Sequence, residues 1–557
     1  MLCLHRVKKT PLPNMLDAAC FKYRDGAQFL LLGDCTMKGF SDLVINSAFV
    51  WSVLASVVLA SDSSLTIASA TCAELQNALG PLIVQTQSGS QYSACANAVW
   101  NVFNMEVNYQ PTCIVFVNST EDVQVTMKTI YKHEADYAVR AGGHSGMSGW
   151  NTIQNGVLIS FMNMSDVSYN AERDTITMEP GIHWGDALNA LESFGVAAVG
   201  GRYGSVGTGL LLGGGVSFLS PGFGYAADNF VSLDVVLVNG TLVTATVDNE
   251  YADLFKALKG GGNRFGIVTR YEVKAVHVGR AEDKNWYGGF LVYPNSSAEA
   301  ALNAIAHIAN ANDTNAVSAL GILATPNSTA SGGVNQAIEA FMFYKGSVES
   351  FNRSFAEFLG IPSTRSSLKA LSYTDMINLF SSPNGQGQIF VNSVLAGSSP
   401  SSQESRVSRH DSKECPDSYI ETFRLFNNFV ASSAASGQLS NAVILITPVW
   451  ESQIRYGYAN GGNAISPPLN MGGFNEIELQ VTIREGVTTM PTEIEQAREH
   501  YLNHIPNTPG LPLLLNQIDA TQNAFKTYGG YEFLKRTYAK YDPTRFNIRH
   551  TQGPIGL

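Results

Sequence analysis

A histidine inside a glycine-rich segment is the first candidate for chemistry in this sequence. His144 lies in VRAGGHSGMSGW (residues 139–150), where four glycines surround it and a serine follows it. Glycine at this density marks places where the backbone takes a positive φ or where another group comes close. The glycines therefore predict that a ligand comes close to the histidine. A neutral imidazole is a nucleophile near pH 7, so His144 could react with that ligand. The alternative is a loop histidine that only forms hydrogen bonds.

Two further glycine clusters, at 200–215 and 260–266, lie in the same part of the chain. Successive backbone N–H groups in such loops bind anions, and helix N-termini add a positive partial charge. The three clusters together predict a long anionic ligand, such as a dinucleotide with its pyrophosphate. A Rossmann NAD site is disfavoured, because no cluster lies in an early strand–GxGxxG–helix unit followed by an acid about twenty residues on.

Two glutamates near the C-terminal end are candidates for proton transfer. They lie in NMGGFNEIELQVTI (residues 470–483). If this segment is a strand, one face carries every second residue, namely Phe474, Glu476, Glu478, Gln480 and Thr482. That polar face either covers the ligand or is an ordinary solvated face of a sheet.

The composition limits the class of protein. The chain has 557 residues, 45% hydrophobic and 15% charged residues, and a formal net charge of −11. This length predicts two or more domains with large buried surfaces. The acidic balance and the lack of a Lys/Arg stripe argue against a nucleic-acid partner. No C-x-x-C or H-E-x-x-H motif occurs, so no metal site is predicted.

The N-terminal region resembles a secretory leader. Residues 45–60 are uncharged and largely apolar, but the run is shorter than the roughly 20 residues of a membrane span. With Met37 upstream and small residues at its end, it predicts a signal peptide over 37–60, cleaved after Ala60. Residues 1–36 are then an upstream extension. The alternative is a single N-terminal anchor helix.

Cysteines and glycosylation sequons also favour a secreted protein. Four cysteines follow the leader, Cys72, Cys95, Cys113 and Cys415, and they allow three pairings. Seven N-x-S/T sequons are present, at Asn118, Asn163, Asn239, Asn295, Asn312, Asn327 and Asn352. We therefore expect an extracellular chain with N-linked glycans.

The pattern of apolar residues predicts an α+β fold. Between 107 and 278 short β-rich runs alternate with helical ones, and residues 233–246 form a hairpin with Asn-Gly at its turn. Between 281 and 510 several longer strands are interleaved with helices. The second region therefore predicts a large antiparallel sheet with one helical face.

Five segments in combination resemble one family. They are VRAGGHS, PGIHWGDALNAL, GGRYGSVGTGLLLGGGVSFLSPGFGYAADN, DLFKALKGGGNRFGIVT and AKYDPTRFN. Together they are similar to the PCMH-type FAD-binding domain of the vanillyl-alcohol oxidase superfamily, and within it to the berberine-bridge-enzyme-like oxidases of fungi. The resemblance covers most of residues 70–557. It implies an N-terminal segment of the FAD domain at 61–106, the FAD-binding domain at 107–278, a substrate domain at 279–510 and a returning C-terminal segment at 511–557.

The resemblance implies roles for residues of the first glycine cluster. In the family the histidine of this motif is joined covalently to the 8α-methyl of FAD, which makes His144 the expected flavin anchor. Cofactor contacts are implied for its neighbours, with Arg140 and Ser145 near the pyrophosphate. The full set is Arg140, Gly142, Gly143, Ser145 and Gly146. His183 is interpreted as structural or peripheral. Asp228 occupies the position of the family's flavin-proximal loop, and a structural N-cap role is the equal alternative.

The second and third clusters carry further implied contacts. Many relatives have a second covalent link from a cysteine, but Tyr203 occupies that position here, so a single link through His144 is expected. Tyr203 then either stacks against the flavin edge or packs beneath it. Val206 occupies the family's oxygen-gating position, which favours an oxidase. The other implied cofactor contacts are Gly204, Ser205, Gly209, Gly266, Ile267 and Val268. The family also implies the pairing Cys72–Cys113.

The expected function is a secreted FAD-dependent oxidase. It would transfer a hydride from an alcohol, a sugar or a related secondary metabolite to covalent FAD, with O2 as acceptor and H2O2 as product. In relatives the base is a Glu, Asp or Tyr on the sheet facing the flavin, so Glu476 is the first candidate here and Glu478 the second; an alternative places residues 461–466 at the substrate. The alternatives for function are a dehydrogenase with another acceptor, and a catalytically silent flavin-binding glycoprotein.

Overall fold

The computed structural model describes residues 47–557, apart from 312, 328–332, 382–383 and 399–413, and without the side chains of 47–62 and 414–416. The chain divides into two compact units, residues 1–66 and 67–557. The predicted extension 1–36 and the first part of the predicted leader lie outside the described residues, as does Asn312. The second unit holds every described strand and all the described helices except the start of the first one.

A small buried sheet opens this unit. Its strands are β1 Val84–Gln85, β2 Cys113–Phe116, β3 Tyr137–Arg140 and β4 Val157–Ser160, in the order β1-β2-β4-β3. Strands β2, β4 and β3 run parallel, so the crossover between β2 and β3 requires a helix, which residues 120–133 supply. Strands β2 and β4 are buried at every position, which explains why seven of their eight residues are apolar or cysteine and only Ser160 is polar. The predicted strands at 113–117, 137–141 and 156–161 are confirmed.

A second, antiparallel sheet follows in the chain. The strands of this region are β5 Val167–Asn170, β6 Thr175–Met178, β7 Val196–Ala197, β8 Phe230–Val236, β9 Leu242–Ala245, β10 Ile267–Lys274 and β11 Val276–His277. Five of them pair in the order β5-β6-β10-β8-β9, and β7 pairs with β11. The predicted hairpin is β8–β9, with Gly240 of the Asn-Gly turn at φ +79°. Only a residue that tolerates positive φ closes this turn without strain.

The third sheet has eight antiparallel strands, as the sequence predicts for this region. They are β12 Trp286–Tyr293, β13 Ala316–Pro326, β14 Val334–Lys345, β15 Arg365–Ser366, β16 Lys369–Leu371, β17 Gln388–Ala396, β18 Leu439–Val449 and β19 Phe474–Ile483. The order is β15-β12-β14-β13-β18-β19-β17, with β16 beside β12. The predicted boundary near residue 278 therefore falls between two different sheets.

Helices are interspersed with the strands along the chain. They are α1 Ser47–Leu79, α2 Tyr92–Asn97, α3 Thr120–His133, α4 Trp184–Leu191, α5 Gly209–Leu212, α6 Ser220–Phe223, α7 Ala252–Leu258, α8 Ala298–Ile308, α9 Val348–Ser354, α10 Ala356–Leu359, α11 Tyr373–Ile377, α12 Glu414–Ala434, α13 Glu451–Ala459, α14 Thr492–His504, α15 Tyr531–Tyr541 and α16 Phe546–His550. Among the described helices, none combines the length and the apolar character that crossing a membrane requires.

The two faces of β19 pack against different partners. Ile477, Leu479 and Val481 enter one core with α8, α12 and α14, whereas Phe474 belongs to the core on the opposite side of the sheet. Alternation along the strand therefore directs Glu476, Glu478 and Gln480 away from the helices. Glu476 and Glu478 are buried, so the alternative of a solvated polar face is wrong.

The cysteines pair as the family resemblance implies. A disulfide joins Cys72 of α1 to Cys113 of β2, which ties the end of that helix to the first sheet. Cys95 is a buried free thiol, and the side chain of Cys415 lies outside the described residues. The implied Cys72–Cys113 bond is therefore present, and Cys95 is not bonded to any other described cysteine.

Candidate functional site

A cavity of about 320 Å³ lies between the glycine-rich loops and the eight-stranded sheet. Its walls come from all three glycine clusters, from the strands β17, β18 and β19, and from C-terminal residues 514–517 and 547–554. Clefts of this kind, mostly apolar with a few polar groups, are the usual sites for small molecules and cofactors. The three clusters thus meet at one site, as the sequence indicates.

The first two glycine clusters also contact each other directly. A Cβ added at Gly142 would lie 2.7 Å from the Cα of Gly207, and one added at Gly207 would lie 2.6 Å from the Cα of Gly142. At Gly146 the added atom would lie 2.3 Å from the ring of Phe390. These glycines allow protein segments to touch, whereas Gly209 has no atom within 4 Å of its added Cβ and opens onto the cavity.

This contrast predicts that alanine variants at Gly142 and Gly209 affect different properties, stability in the first and ligand binding in the second. Gly142→Ala forces two backbones apart and is expected to lower the free energy of unfolding by about 1–3 kcal/mol, the usual cost of overpacking. Gly209→Ala is expected to leave that free energy unchanged, while its methyl group takes space from the ligand. Urea denaturation measures the first effect and ligand retention after gel filtration the second. Equal stability of the two variants contradicts this assignment.

His144 is held between an aromatic ring and a hydroxyl group. Trp100 stacks on the imidazole at 4.2 Å between ring centres and 12° between planes, and Phe390 stacks on Trp100 at 5.5 Å. The hydroxyl of Ser205 lies 3.3 Å from Nδ1 of His144. Burial, together with the nearby charge of His183, lowers the pKa of His144 to about 4. The imidazole is therefore neutral across the physiological range and available as a nucleophile.

His183 has a more direct part than the sequence indicates. It precedes α4, pairs with Gly207 in an isolated β-bridge, and its Nε2 lies 3.0 Å from the carbonyl oxygen of Gly142. Because a carbonyl only accepts, Nε2 carries the proton and donates it. His183 thereby fixes the loop two residues before His144, which agrees with a structural role close to the site.

Arg140, for which a contact near the pyrophosphate is predicted, lies outside the cavity wall. Arg140 is the last residue of β3, and its neighbours Val139 and Ala141 line the cavity, so alternation along the chain directs Arg140 to the other side. There it is buried and donates from Nε to the Asn151 carbonyl at 3.0 Å and from Nη1 to the Cys95 carbonyl at 2.5 Å. Arg140 supports the glycine-rich segment from behind.

The remaining predicted residues lie at the cavity, in several kinds of contact. Ser145 lines it, but its hydroxyl accepts from the Met147 N–H at 3.2 Å within its own turn. Tyr203 lines it and meets Phe380 edge-on at 5.8 Å. Gly266, at φ +126°, lies against the Val236 carbonyl and leads into β10. The other predicted residues found in its wall are Gly142, Gly143, Gly146, Val206, Gly209, Ile267 and Val268; Gly204 and Ser205 lie between wall residues Tyr203 and Val206.

Three amide side chains in the wall have unpartnered buried atoms. They are Asn151, through both Nδ2 and Oδ1, Asn263 through Oδ1 and Gln517 through Oε1. Buried polar atoms are nearly always hydrogen-bonded, so these positions suit a ligand with donors and acceptors of its own. The open backbone at Gly209 suits the close approach of such a ligand. A dinucleotide fits this set. Sequence patterns do not single out Asn263 or Gln517, because the chain segments that bring them together are far apart.

The structure places Glu478, rather than Glu476, at the cavity. Glu478 and Gln480 line it beside their cross-strand partners Leu445 and Phe390. Glu476, the first candidate for the base, is 1% exposed and lies outside the wall of the cavity. Burial raises the pKa of Glu478 to about 7 and that of Glu476 to about 8, with the Arg202 charge opposing both shifts.

Comparison with known proteins identifies the region that contains the glycine loops. Residues 111–246 match a family model described as an FAD binding domain. An FAD-linked oxidoreductase of Arthroderma benhamiae is 33% identical over 270 residues, which are 48% of this chain and 51% of that protein. The FAD-dependent monooxygenase drtC of Aspergillus calidoustus is 28% identical over 82% of this chain and 84% of its own length.

Solved structures extend the likeness to the whole fold. Berberine bridge enzyme from Eschscholzia californica superposes with a TM-score of 0.66 at 17% identity, over 87% of this chain and 99% of that structure. Three of the matched curated relatives are covered over only 36% to 51% of their length. The resemblance stated from the sequence is confirmed for the FAD-binding domain and for the fold.

Proposed function

We propose, from the premise that residues 111–246 form an FAD-binding domain within the fold of the berberine-bridge-enzyme-like oxidases, that this chain is an FAD-dependent oxidase. It would oxidise an alcohol, a sugar or a related secondary metabolite and use O2 as the acceptor. One observation carries the proposal. A single cavity places a neutral histidine on the FAD-domain side and a buried glutamate on the sheet side.

The residues in the wall suit FAD. The backbone of the second glycine cluster, with Gly209 open to the cavity, would lie along the cofactor, and the amides of Asn151, Asn263 and Gln517 would hydrogen-bond to it. His144 would form the single covalent bond to the 8α-methyl group. FAD, once bound, supplies a ring that accepts a hydride from the substrate.

Glu478 is the group that would handle the substrate proton. It lines the cavity next to Gln480, and the pKa of its carboxyl, raised to about 7 by burial, lies near the pH at which a base both ionises and accepts protons well. Gln480, Leu445 and Phe390 surround it and would orient the substrate. Tyr203 and Arg202 also line the cavity.

Oxygen as acceptor is supported by Val206, a small side chain in the wall at the family's oxygen-gating position. The curated relatives named monooxygenases give a second candidate, in which an atom of O2 enters the product. Secretion and N-glycosylation belong to the same proposal. Five sequon asparagines, Asn118, Asn163, Asn239, Asn295 and Asn352, are exposed, as glycan attachment requires.

The experiment that tests the function starts from the chain expressed from Met37 in a secreting host. We expect yellow medium protein whose flavin is bleached anaerobically by one member of a panel of alcohols, sugars and phenols. Admission of O2 should then restore the colour with one H2O2 per turnover. Slow reoxidation would identify a dehydrogenase, and label from ¹⁸O2 in the product a monooxygenase. Flavin that no substrate bleaches would identify a silent binding protein, and colourless protein would overturn the proposal.

A further inference from the structure

Two buried carboxyl groups lie side by side at the sheet end of the cavity, and the proposed function uses only one of them. Glu476 and Glu478 occupy the same face of β19, two residues apart, so their Cβ atoms are separated by about 7 Å. They are 1% and 6% exposed. Only Glu478 lines the cavity, which leaves the role of Glu476 open.

Few charges are available to balance this pair. Arg202 is the cation whose charge acts on both carboxyls, and it donates from Nη1 to Thr447 Oγ1 at 3.1 Å, beside Glu476 in the register of β18 and β19. The other titratable groups facing the pair are phenols. Tyr225 and Tyr528 lie near Glu476, and Tyr203 lies near Glu478.

The carboxyl group of Glu476 has a buried oxygen atom without a hydrogen-bond partner. Its Oε2 is buried and has no hydrogen-bond partner, and neither has the hydroxyl of Tyr528. A buried carboxylate without donors is far less stable than a neutral carboxyl group. Two carboxylates at this distance also repel each other, so one cation cannot make both ionised forms favourable. A neutral Glu476 removes both penalties.

We propose that Glu476 and Glu478 hold one proton between them at neutral pH, with Glu476 protonated and Glu478 ionised at the cavity wall. In the oxidation, which rests on the proposed function, the substrate O–H bond breaks and its proton forms a new O–H bond on Glu478. The pair then changes from one negative charge to none. Glu476 is a positioning residue, because it sets the proton affinity of Glu478 without touching the substrate.

The pH dependence of stability follows from the same arrangement. Folding raises the pKa of both carboxyls above the ordinary value of 4.5, so their contribution to stability is complete below that pH. It is lost as pH rises through about 7 and about 8, where both ionise inside the folded chain. Glu476→Gln imitates the protonated form. We therefore expect this variant to melt at a higher temperature than the wild type above pH 8, and at a similar one near pH 5.

The decisive test is a titration of the purified full-length secreted chain. Difference infrared spectroscopy at pH 7 should show a protonated-carboxyl band that disappears in Glu476→Gln and persists in Glu478→Gln. Between pH 6 and 9 the wild type should release about one proton more than either variant, since coupled groups titrate as a pair. Glu485→Gln, an exposed glutamate just after β19, is the matched control and should change neither readout.

The outcomes separate this proposal from the proposed function. A band that survives in Glu476→Gln, or an unchanged proton count, would overturn the sharing of a proton. A band lost only in Glu478→Gln would overturn the assignment of the proton to Glu476. The band arises from the protein and not from flavin. A chain that shows the band but binds no flavin would therefore support the shared proton and overturn the proposed oxidase function. Melting curves of every variant show whether each one folds.

Discussion

His144→Ala is expected to abolish acid-stable flavin attachment completely. If His144 forms the single covalent bond to FAD, no other described side chain replaces it, since Tyr203 stands at the position of the family's second link. Trp100 and the Ser205 hydroxyl hold the imidazole in one orientation, and burial keeps it neutral down to pH about 4. The measurement is flavin absorbance in the washed pellet after acid precipitation, with the wild type alongside.

Two control variants test whether the loss of attached flavin is specific to the imidazole of His144. Ser205→Ala keeps the imidazole and removes only the hydroxyl at Nδ1, so attachment should be slower and still reach completion. His277→Ala changes an exposed histidine paired with Asp174 on the surface, and should leave the pellet yellow. Colour released from the wild type as readily as from His144→Ala would make His144 an ordinary loop residue that binds FAD without a bond to it.

The periodic parts of the fold were predictable from sequence, because they depend on local patterns. The alternation in FNEIELQVTI predicts which residues of β19 share a face, and the structure has that face. The alternation does not predict which residues of that face line the cavity. The rest of the cavity wall comes from other parts of the chain, among them residues 201–213 and 514–517, and the wall includes Glu478 but not Glu476.

The glycine clusters show the same limit at the level of single residues. Their density predicts close approach of another group, and close approach is what the structure contains. At Gly142 the approaching group is the backbone of Gly207, some sixty residues later in the chain. At Gly209 no protein atom lies close, and the glycine faces open space in the cavity. The sequence therefore predicts that another group lies close to these glycines, but it does not identify whether that group is a protein segment or a ligand.

The positions of Arg140, Trp100 and Gln517 in the fold do not follow from the sequence, for one physical reason. Motif similarity assigns Arg140 to the ligand, but the register of β3 turns it towards Cys95. Trp100 and Gln517 lie outside every motif and reach the site only through long-range packing. Contacts between distant segments are set by the whole fold, so no local pattern predicts them.

Glu478→Gln is expected to slow flavin reduction by about 10²–10⁴-fold, the usual contribution of a positioned general base. That loss corresponds to about 3–5 kcal/mol of transition-state stabilisation. The amide keeps the size of the side chain and removes its ability to accept a proton, so substrate binding should change much less than the rate. Anaerobic stopped-flow mixing with the substrate found in the panel measures the reduction step separately from reaction with O2.

The pH profile distinguishes a base at Glu478 from a merely structural glutamate. In the wild type the reduction rate should rise with pH through about 7, as the carboxyl of Glu478 loses its proton, and this rise should vanish in Glu478→Gln. Glu476→Gln should retain the rise with less than a tenfold loss of rate, because it imitates the protonated neighbour. A full loss of rate in Glu476→Gln with a small one in Glu478→Gln would return the catalytic role to Glu476. The structure favours the first result, since only the Glu478 side chain lines the cavity.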